Sequence, residues 1–155
     1  MMSYSRENPS PRYTELLEQY QTVHSQGIVD QNLPAEDTFS GTSLGRHLPM
    51  IRDLIRSTGS RTMLDYGAGK GVKYKATSIS IQGEQAASVQ AYWGVDTITC
   101  FDPGYPPFAV VPEGRFDGVI CTDVLEHVPD LDLPWMLEEQ FHYADKFVFG
   151  NIASY

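Results

Sequence analysis

The chain has 155 residues, 41% hydrophobic and 12% aromatic, which is typical of a single globular domain with its own core. Acidic residues number 20 against 11 basic ones, and the net charge of −9 would repel the phosphates of a nucleic acid. No run reaches the roughly 18–20 apolar residues of a membrane span, and the N-terminus has no apolar secretory core. We therefore expect a soluble, cytoplasmic protein that binds neither membrane nor nucleic acid.

The N-terminal third predicts an arm followed by two helices. Residues 1–12 are polar and carry two prolines, so we expect a flexible arm. In residues 13–60 apolar side chains recur at helical spacing from Tyr13 onward, and a second helix ends at Gly59 as its C-cap. Both helices are expected to pack on a core formed by residues 61–155.

Four apolar runs in the remaining sequence predict strands, namely "RTMLD", "DTITCFD", "FDGVICTD" and "KFVFGNIA". The stretch "EQAASVQAYWG" predicts a helix, and "LPWMLEEQFHYA" predicts another with its proline in the first turn. Strands that alternate with helices form parallel crossovers, so the expected fold class is α/β. The expected architecture is a Rossmann-like three-layer sandwich with a mainly parallel sheet, whose ligands bind at the carboxyl ends of the strands.

A glycine turn, "LDYGAGKG", follows the first predicted strand. Asp65 stands two residues before Gly67, which is followed by Ala68 and Gly69, and a negative charge there opposes the pyrophosphate of a dinucleotide. The dinucleotide fingerprint also requires G-x-G-x-x-G and an acid about 20 residues later, whereas the next acid at a strand end is the more distant Asp102. The phosphate loop G-x-x-x-x-G-K-[ST] is absent. The turn therefore favours a ligand with positive charge and no phosphate.

Three stretches, "TMLDYGAGKG", "ITCFDPG" and "FDGVICTDVLEHVP", resemble in this order three motifs of class I S-adenosylmethionine-dependent methyltransferases. They match the glycine-rich first motif, the ribose-binding acid and the fourth-strand motif, and the resemblance covers residues 61–153. It implies a seven-stranded sheet, S-adenosylmethionine as cofactor, and methyl transfer to a small molecule or a protein. The cofactor-binding residues that it implies are Asp65, Gly67, Ala68, Gly69, Asp102, Pro103, Cys121, Thr122 and Asp123. No metal is expected, because the four histidines are scattered without the spacing of metal ligands.

Candidate catalytic residues follow the third predicted strand, and they are Asp123, Glu126 and His127. A glutamate or histidine near the reactive methyl group would serve as a general base. The alternative is that Glu126 and His127 only begin the next helix, where a glutamate is favourable beside the positive end of the helix dipole. Farther upstream, Tyr20 and His24 either cover the cofactor as a lid or pack against the core.

The sequence departs from the family pattern in two places. Residues 103–115 are too few for the usual helix, strand and adenine-contacting acid, so Tyr105 or Phe108 is expected to stack on the adenine instead. The four predicted strands are fewer than seven, which predicts a reduced, C-terminally short member of the family. We expect the last strand, in residues 146–155, to form an edge that pairs with a second copy or a partner subunit.

Three functions remain open from the sequence. The first is a methyltransferase, the second is a regulatory or accessory protein that binds S-adenosylmethionine without turnover, and the third is a hydrolase or lyase that consumes it.

The two cysteines, Cys100 and Cys121, lie in different predicted strands. If these strands flank the first one, the thiols are roughly 9.5 Å apart, beyond the limit of about 7 Å between Cα atoms of a disulfide. We therefore expect two free thiols.

Overall fold

The computed structural model describes residues 3–154, and it has an α/β architecture. Residues 1, 2 and 155, which the predicted arm and core ranges include, lie outside the described residues. In chain order the elements are α1 (Pro11–Gln26), α2 (Thr42–Thr58), β1 (Thr62–Tyr66), α3 (Val72–Lys75), β2 (Ile79–Ile81), β3 (Glu84–Ala86), α4 (Val89–Trp93), β4 (Thr97–Phe101), β5 (Phe116–Thr122), α5 (Leu133–Tyr143) and β6 (Ala144–Asn151).

The central sheet contains four parallel strands in the order β4-β1-β5-β6. Asp65 on β1 is level with Cys100 on β4 and with Ile120 on β5, so the carboxyl ends of three strands meet at one edge of the sheet. The expected parallel α/β sheet is confirmed and is compatible with a Rossmann-like fold. The order also places β4 and β5 on opposite sides of β1, as the separation of the two cysteines requires.

Apolar side chains cover both faces of the sheet and make three layers. On one face, α2 and α4 pack through Leu48, Ile51 and Trp93, and the Trp93 indole donates a hydrogen bond to the Leu48 carbonyl at 3.1 Å. On the other face, α5 packs through Trp135 and Met136. Among residues 3–154, no helix is both long and apolar enough to cross a membrane.

The two long helices have well-defined ends. α2 ends as predicted at Gly59, which has φ of 63° and donates to the carbonyls of the last turn. α1 begins at Pro11, two residues before the predicted start, because the Ser10 side chain caps it by accepting from the Tyr13 amide at 3.1 Å.

The segment between β1 and β4 differs from its prediction. The expected helix over "EQAASVQAYWG" forms only from Val89 to Trp93, and its first residues instead form β3, which pairs antiparallel with β2. The reversal uses Gln82 and Gly83, which both have positive φ. Ser88 then caps α4 by accepting from the Ala91 amide, so the helix starts after the hairpin.

The N-terminal segment also differs from its prediction as a free arm. Arg6 donates to the Glu139 carboxylate and to the Tyr66 hydroxyl, and its guanidinium lies 5.0 Å from the centre of the Phe101 ring. Ser10 is buried with Asp132, which accepts from the Ser10 amide at 2.9 Å. The composition of the segment predicted weak burial, but charge-assisted hydrogen bonds and cation–π contact hold it against the domain.

The two cysteines are free in the structure, and we expect both to react slowly in the native protein. Burial raises the pKa of Cys100 to about 12, with the nearby Asp65 charge adding to the effect, and burial likewise raises the pKa of the fully buried Cys121. Because the thiolate is the reactive form, labelling with a thiol reagent near pH 8 should be slow for half-buried Cys100 and slower still for Cys121.

Unfolding in guanidinium should expose both thiols to rapid labelling, and mass spectrometry of the modified peptides reports each site. An intramolecular bond between Cys100 and Cys121 would refute the strand order.

Candidate functional site

The candidate site lies where the carboxyl ends of β4, β1 and β5 meet. Acidic residues end or follow each of these strands: Asp65 lies in β1, Asp102 follows β4, and Asp123 follows β5. Parallel α/β sheets bind ligands at this edge because the strands end there and the loops diverge. Two cavities open here, on either side of the glycine turn.

The glycine turn needs glycine at two positions. Gly67 has φ of 87°, and a Cβ there would lie 2.4 Å from Cγ2 of Val124. Gly69 has φ of 59°, and a Cβ there would lie 3.0 Å from Cβ of Phe39. The turn is therefore held between neighbouring side chains in a conformation that larger residues rarely adopt.

The amides of the turn are hydrogen-bonded within the protein. Gly67 and Ala68 both donate to the Phe101 carbonyl, at 2.7 and 3.0 Å, and Gly69 donates to Oδ2 of Asp102 at 2.8 Å. Phosphate-binding turns instead point their amides at the ligand. The geometry therefore favours the sequence-based interpretation that the turn does not hold a pyrophosphate.

Asp65 is a buried acid with one unpartnered oxygen. Its side chain is part of the polar cavity wall, the residue is 2% exposed, and Oδ2 accepts from the Tyr74 hydroxyl at 2.6 Å. Its Oδ1 has no hydrogen-bond partner among the described residues. Burial raises the pKa of Asp65 to about 7; the Tyr74 hydrogen bond lowers it, and the negative charge of Asp102 raises it further. A cationic ligand would satisfy this oxygen and favour the ionised carboxylate.

Asp102 links the end of β4 to the glycine turn. Oδ2 accepts from Gly69 and Oδ1 accepts from the Gly104 amide, each at 2.8 Å. Burial raises the pKa of Asp102, although these two hydrogen bonds lower it. A carboxylate oxygen has two lone-pair sites, so each oxygen can accept one more hydrogen bond. Asp102 can thus fix the turn and also bind a ligand hydroxyl.

The first cavity, here the aromatic cavity, has a volume of about 750 Å³ including its open mouth. α1 covers it with Tyr13, Leu17 and Tyr20, and Phe101 and Asp102 line its opposite side. Most of its wall is apolar, so it suits a flat or apolar group with hydroxyls that reach Asp102.

The second cavity, here the polar cavity, has a volume of about 780 Å³ including its open mouth. Asp65, Thr42, Lys73 and Thr122 are among its lining residues. Phe39, Gly67 and Asp123 line both cavities, so the two adjoin over the glycine turn.

The predicted site residues fall into three groups. The polar cavity is lined by Asp65, Ala68, Gly69 and Thr122, the aromatic cavity by Asp102, Pro103 and His127, and both cavities by Gly67 and Asp123. Cys121 and Glu126 line neither cavity: Cys121 is buried in the core, and Oε1 of Glu126 accepts from the Ala153 amide at 3.0 Å. Of the other nine predicted residues, seven therefore line one cavity and two line both, and Cys121 and Glu126 lie outside.

Two aromatic residues expected to stack on the adenine lie elsewhere. Tyr105 packs on the His24 ring at 5.1 Å between centroids, and Phe108 lies beside Gly71. Neither lines the aromatic cavity. A short 3₁₀ turn at Pro106–Phe108 follows Tyr105 and contains Phe108, and the composition of the stretch did not predict it.

Lys70, in the glycine turn, and His24, for which a lid and a packing role were both open, make contacts within the protein. The Lys70 ammonium donates to the Ala35 carbonyl and to the Thr38 hydroxyl, so it holds the segment before α2. His24 is buried and stacked on Phe39 with 3.8 Å between ring centroids. Burial, with a contribution from Lys70, lowers the pKa of His24 to about 4, so His24 packs as a neutral ring.

Several site residues were missed in the sequence. Phe39 lines both cavities. Its backbone has φ of 56°, and nothing in the sequence predicts this conformation. Arg6 lines the aromatic cavity although its segment was expected to be an arm. Lys73 and Thr42 were missed too, although the start of a helix after Gly41 was a usable signal. Within residues 3–154, no group of three metal-ligating side chains could hold a metal ion.

No protein-family model matches the chain, and neither the curated proteins nor the solved structures give a significant match.

We expect Asp65→Asn to remove a pH-dependent penalty on folding. The pKa of Asp65 is about 7 in the folded protein against an ordinary value of 3.8, so between these pH values the folded state holds a proton that the unfolded state has lost. The free energy of unfolding therefore falls as pH rises from about 4 to about 7. Urea unfolding at several pH values should show this slope in the parent and a flatter profile in the variant. Asp53→Asn, at an exposed position on α2, is the control and should keep the parent slope; equal slopes in all three proteins would contradict the buried-acid assignment.

Proposed function

We propose that the chain is an S-adenosylmethionine-dependent methyltransferase that acts on a small molecule or a protein. The observation that carries this proposal is the pair of cavities that adjoin over the glycine turn. Each cavity is lined by an acid from a neighbouring strand end, Asp65 on the polar side and Asp102 on the aromatic side.

The two cavities suit the two ends of this cofactor. S-adenosylmethionine carries an ammonium and a sulfonium at one end, adenosine at the other, and no phosphate. The unpartnered oxygen of Asp65 suits the cationic end, and the remaining lone pairs of Asp102 suit the two ribose hydroxyls. The aromatic wall suits the adenine ring. The internally bonded amides of Gly67 and Gly69 support a ligand without phosphate.

The candidate catalytic residues have different places in this proposal. When bound, the cofactor supplies a methyl group on a positively charged sulfur. Asp123 lies where the cavities adjoin, and its Oδ1 accepts from the side-chain amide (Nδ2) of Asn151 at 3.0 Å. His127 lines the aromatic cavity and is the candidate proton acceptor for an acceptor group. Glu126 holds the Ala153 amide, so we assign it a positioning role for the C-terminal segment.

The proposal includes self-association through β6. This strand pairs with β5 on one side and is an edge of the four-stranded sheet. An edge presents unpaired amides and carbonyls to a second chain, and Phe147 and Phe149 belong to this strand.

We also place the activity in the cytoplasm, where the two unpaired cysteines would remain reduced.

The parent chain should bind S-adenosylmethionine and S-adenosylhomocysteine in isothermal titration. Asp102→Ala removes the ribose acceptor, and we expect affinity to fall about tenfold or more because hydrogen bonds to a charged group contribute about 1.5–3 kcal/mol. Asp102 also holds Gly69 and Gly104, so Asp102→Asn, which keeps the side-chain shape, is the second variant. Asp53→Ala is the control, thermal unfolding checks folding, and absence of binding by the parent would contradict the proposal.

Turnover separates the three functions that use this cofactor. Transfer of labelled methyl to added acceptors would support the methyltransferase. Binding without any consumption of the cofactor would favour the regulatory protein, and consumption without an acceptor would favour the hydrolase or lyase.

The self-association should appear as a multiple of 17.4 kDa in sedimentation at micromolar concentration. Because each chain carries a charge of −9, added salt should screen the repulsion and increase the assembled fraction. A monomer at every salt concentration would contradict the homo-oligomer.

A further inference from the structure

α5 has apolar side chains on both of its faces. Its buried face packs on the sheet and includes Trp135 and Met136. On the opposite face Leu137 is 38% exposed and Phe141 is 65% exposed, and Leu131, in the turn just before the helix, is 66% exposed. A surface helix is normally apolar on one face only, whereas a helix that is apolar all round is normally buried. The outer face of α5 therefore indicates a surface that another molecule covers.

The exposed apolar residues of α5 form one continuous surface. Leu137 and Phe141 are four residues apart, so they are neighbours along the helix, and exposed Pro134 lies one turn before Leu137. Leu131 stands three residues before Pro134, in a turn that leads directly into the helix. Single exposed apolar residues are ordinary, but contiguous ones mark interaction sites. We call this surface the α5 apolar face, and its residues are Leu131, Pro134, Leu137 and Phe141.

The charge around the α5 apolar face is negative. Residues 124–145 contain no lysine or arginine. Asp130 precedes Leu131 and Glu138 follows Leu137, and both acids are exposed and have no ion-pair partner among residues 3–154. The two arginines that contact this stretch are each paired with an acid, Arg6 with Glu139 and Arg115 with Asp145. The free charge at the border of the face is therefore acidic.

We propose that the α5 apolar face is a docking surface for a basic amphipathic helix of a partner protein. Leu137 and Phe141 receive the apolar side chains of the partner helix, and Asp130 and Glu138 meet its lysines or arginines at the border. α5 has 11 residues and is about 16 Å long, so the surface fits a partner helix of about three turns.

The charge argues against the other occupants of this face. A second copy of the chain would bring the same acids against each other in a two-fold contact, and like charges in contact weaken association. Anionic membranes and nucleic acids would be repelled for the same reason. A partner strand finds no free backbone here, because the surface belongs to a helix. The net charge of −9 also attracts a basic partner at long range.

The α5 apolar face lies apart from the two cavities. Met136 lines the aromatic cavity from the buried face of α5, whereas Leu137 and Phe141 line neither cavity. A helix docked on the outer face would therefore leave both cavities open. The proposal adds a binding partner and does not rest on the methyltransferase assignment.

The probe for this surface is a synthetic peptide of about 14 residues, roughly four helical turns, with leucine at i, i+3, i+4 and i+7 and lysine elsewhere. One comparison peptide has glutamate in place of lysine. Another has the same composition as the probe in a scrambled order without an apolar face. Anisotropy of the labelled peptides measures binding to the parent chain, and amide shifts in NMR report the contacted residues. We expect only the lysine peptide to bind and to shift the amides of α5.

Four variants test the apolar and the acidic contributions. Phe141→Ser should weaken binding of the lysine peptide about tenfold or more, because it removes the largest apolar side chain of the face. Val29→Ser, at an exposed apolar position outside the face, is its matched control and should keep the parent affinity. Glu138→Gln should weaken binding at low salt and have less effect at high salt, whereas its control Glu18→Gln, on exposed α1, should change neither. Thermal unfolding checks that each variant is folded.

Three results would overturn the proposal: no binding of the lysine peptide, equal binding of a comparison peptide, or binding that Phe141→Ser leaves unchanged. Sedimentation of the parent and of Phe141→Ser tests the second copy as occupant. Self-association that Phe141→Ser abolishes would assign the face to a second copy and would overturn the partner helix.

Discussion

The site depends on one interaction, the bridge that Asp102 makes between two loops. Its carboxylate accepts from Gly69 in the glycine turn and from Gly104 in the loop after β4. The Phe101 carbonyl adds two hydrogen bonds from the same turn. The loop after β1 is thereby fastened to the end of β4, so the positions of the two cavities are set by the sheet itself. Because hydrogen bonds to a charged acceptor are stronger than neutral ones, this bridge fixes the turn more firmly than backbone contacts alone.

The same bridge creates an electrostatic cost. Asp65 is buried and Asp102 is half-buried, and the negative charge of Asp102 raises the pKa of Asp65. Asp102 is compensated by two amides, whereas Asp65 has only the Tyr74 hydroxyl. The negative charge of Asp65 therefore has little compensation on the side of the polar cavity, and a cationic ligand would neutralise it. Ionised Asp65 is thus unfavourable in the free protein and would become favourable when a cation binds beside it.

The sequence predicted the sheet better than the segments that cover it. Apolar runs predicted all four strands, since a buried parallel strand has a strong local signal, and Asp65, Gly67 and Asp102 were placed at strand ends for the same reason. The strand β3 was missed because "EQAAS" contains good helix formers, and the reversal at Gly83 overrides them. The contact of Arg6 with Glu139 was missed because it joins residues distant in the chain and leaves no local pattern. Glu126 was placed at the site because it is near Asp123 in sequence, but the turn between them points its carboxylate toward Ala153.

α1 contacts the domain at both ends and, between them, through two aromatic residues: Tyr13 packs on Trp135, and Tyr20 packs on Phe39 and His127. At its start, Ser10 is bound to buried Asp132, and at its end, His24 is stacked on Phe39. His24 is the one buried residue of this helix, and the residues before it that line the aromatic cavity are Tyr13, Leu16, Leu17 and Tyr20. A helix that covers a cavity buries little apolar surface until the cavity is filled, so a ligand there would add contacts with Leu17 and Tyr20. Residues 103–115, which are too few for a further crossover beside β4, leave this wall to α1 and to Arg6. The N-terminal segment is therefore part of the site, and ligand binding should be linked to the stability of its attachment.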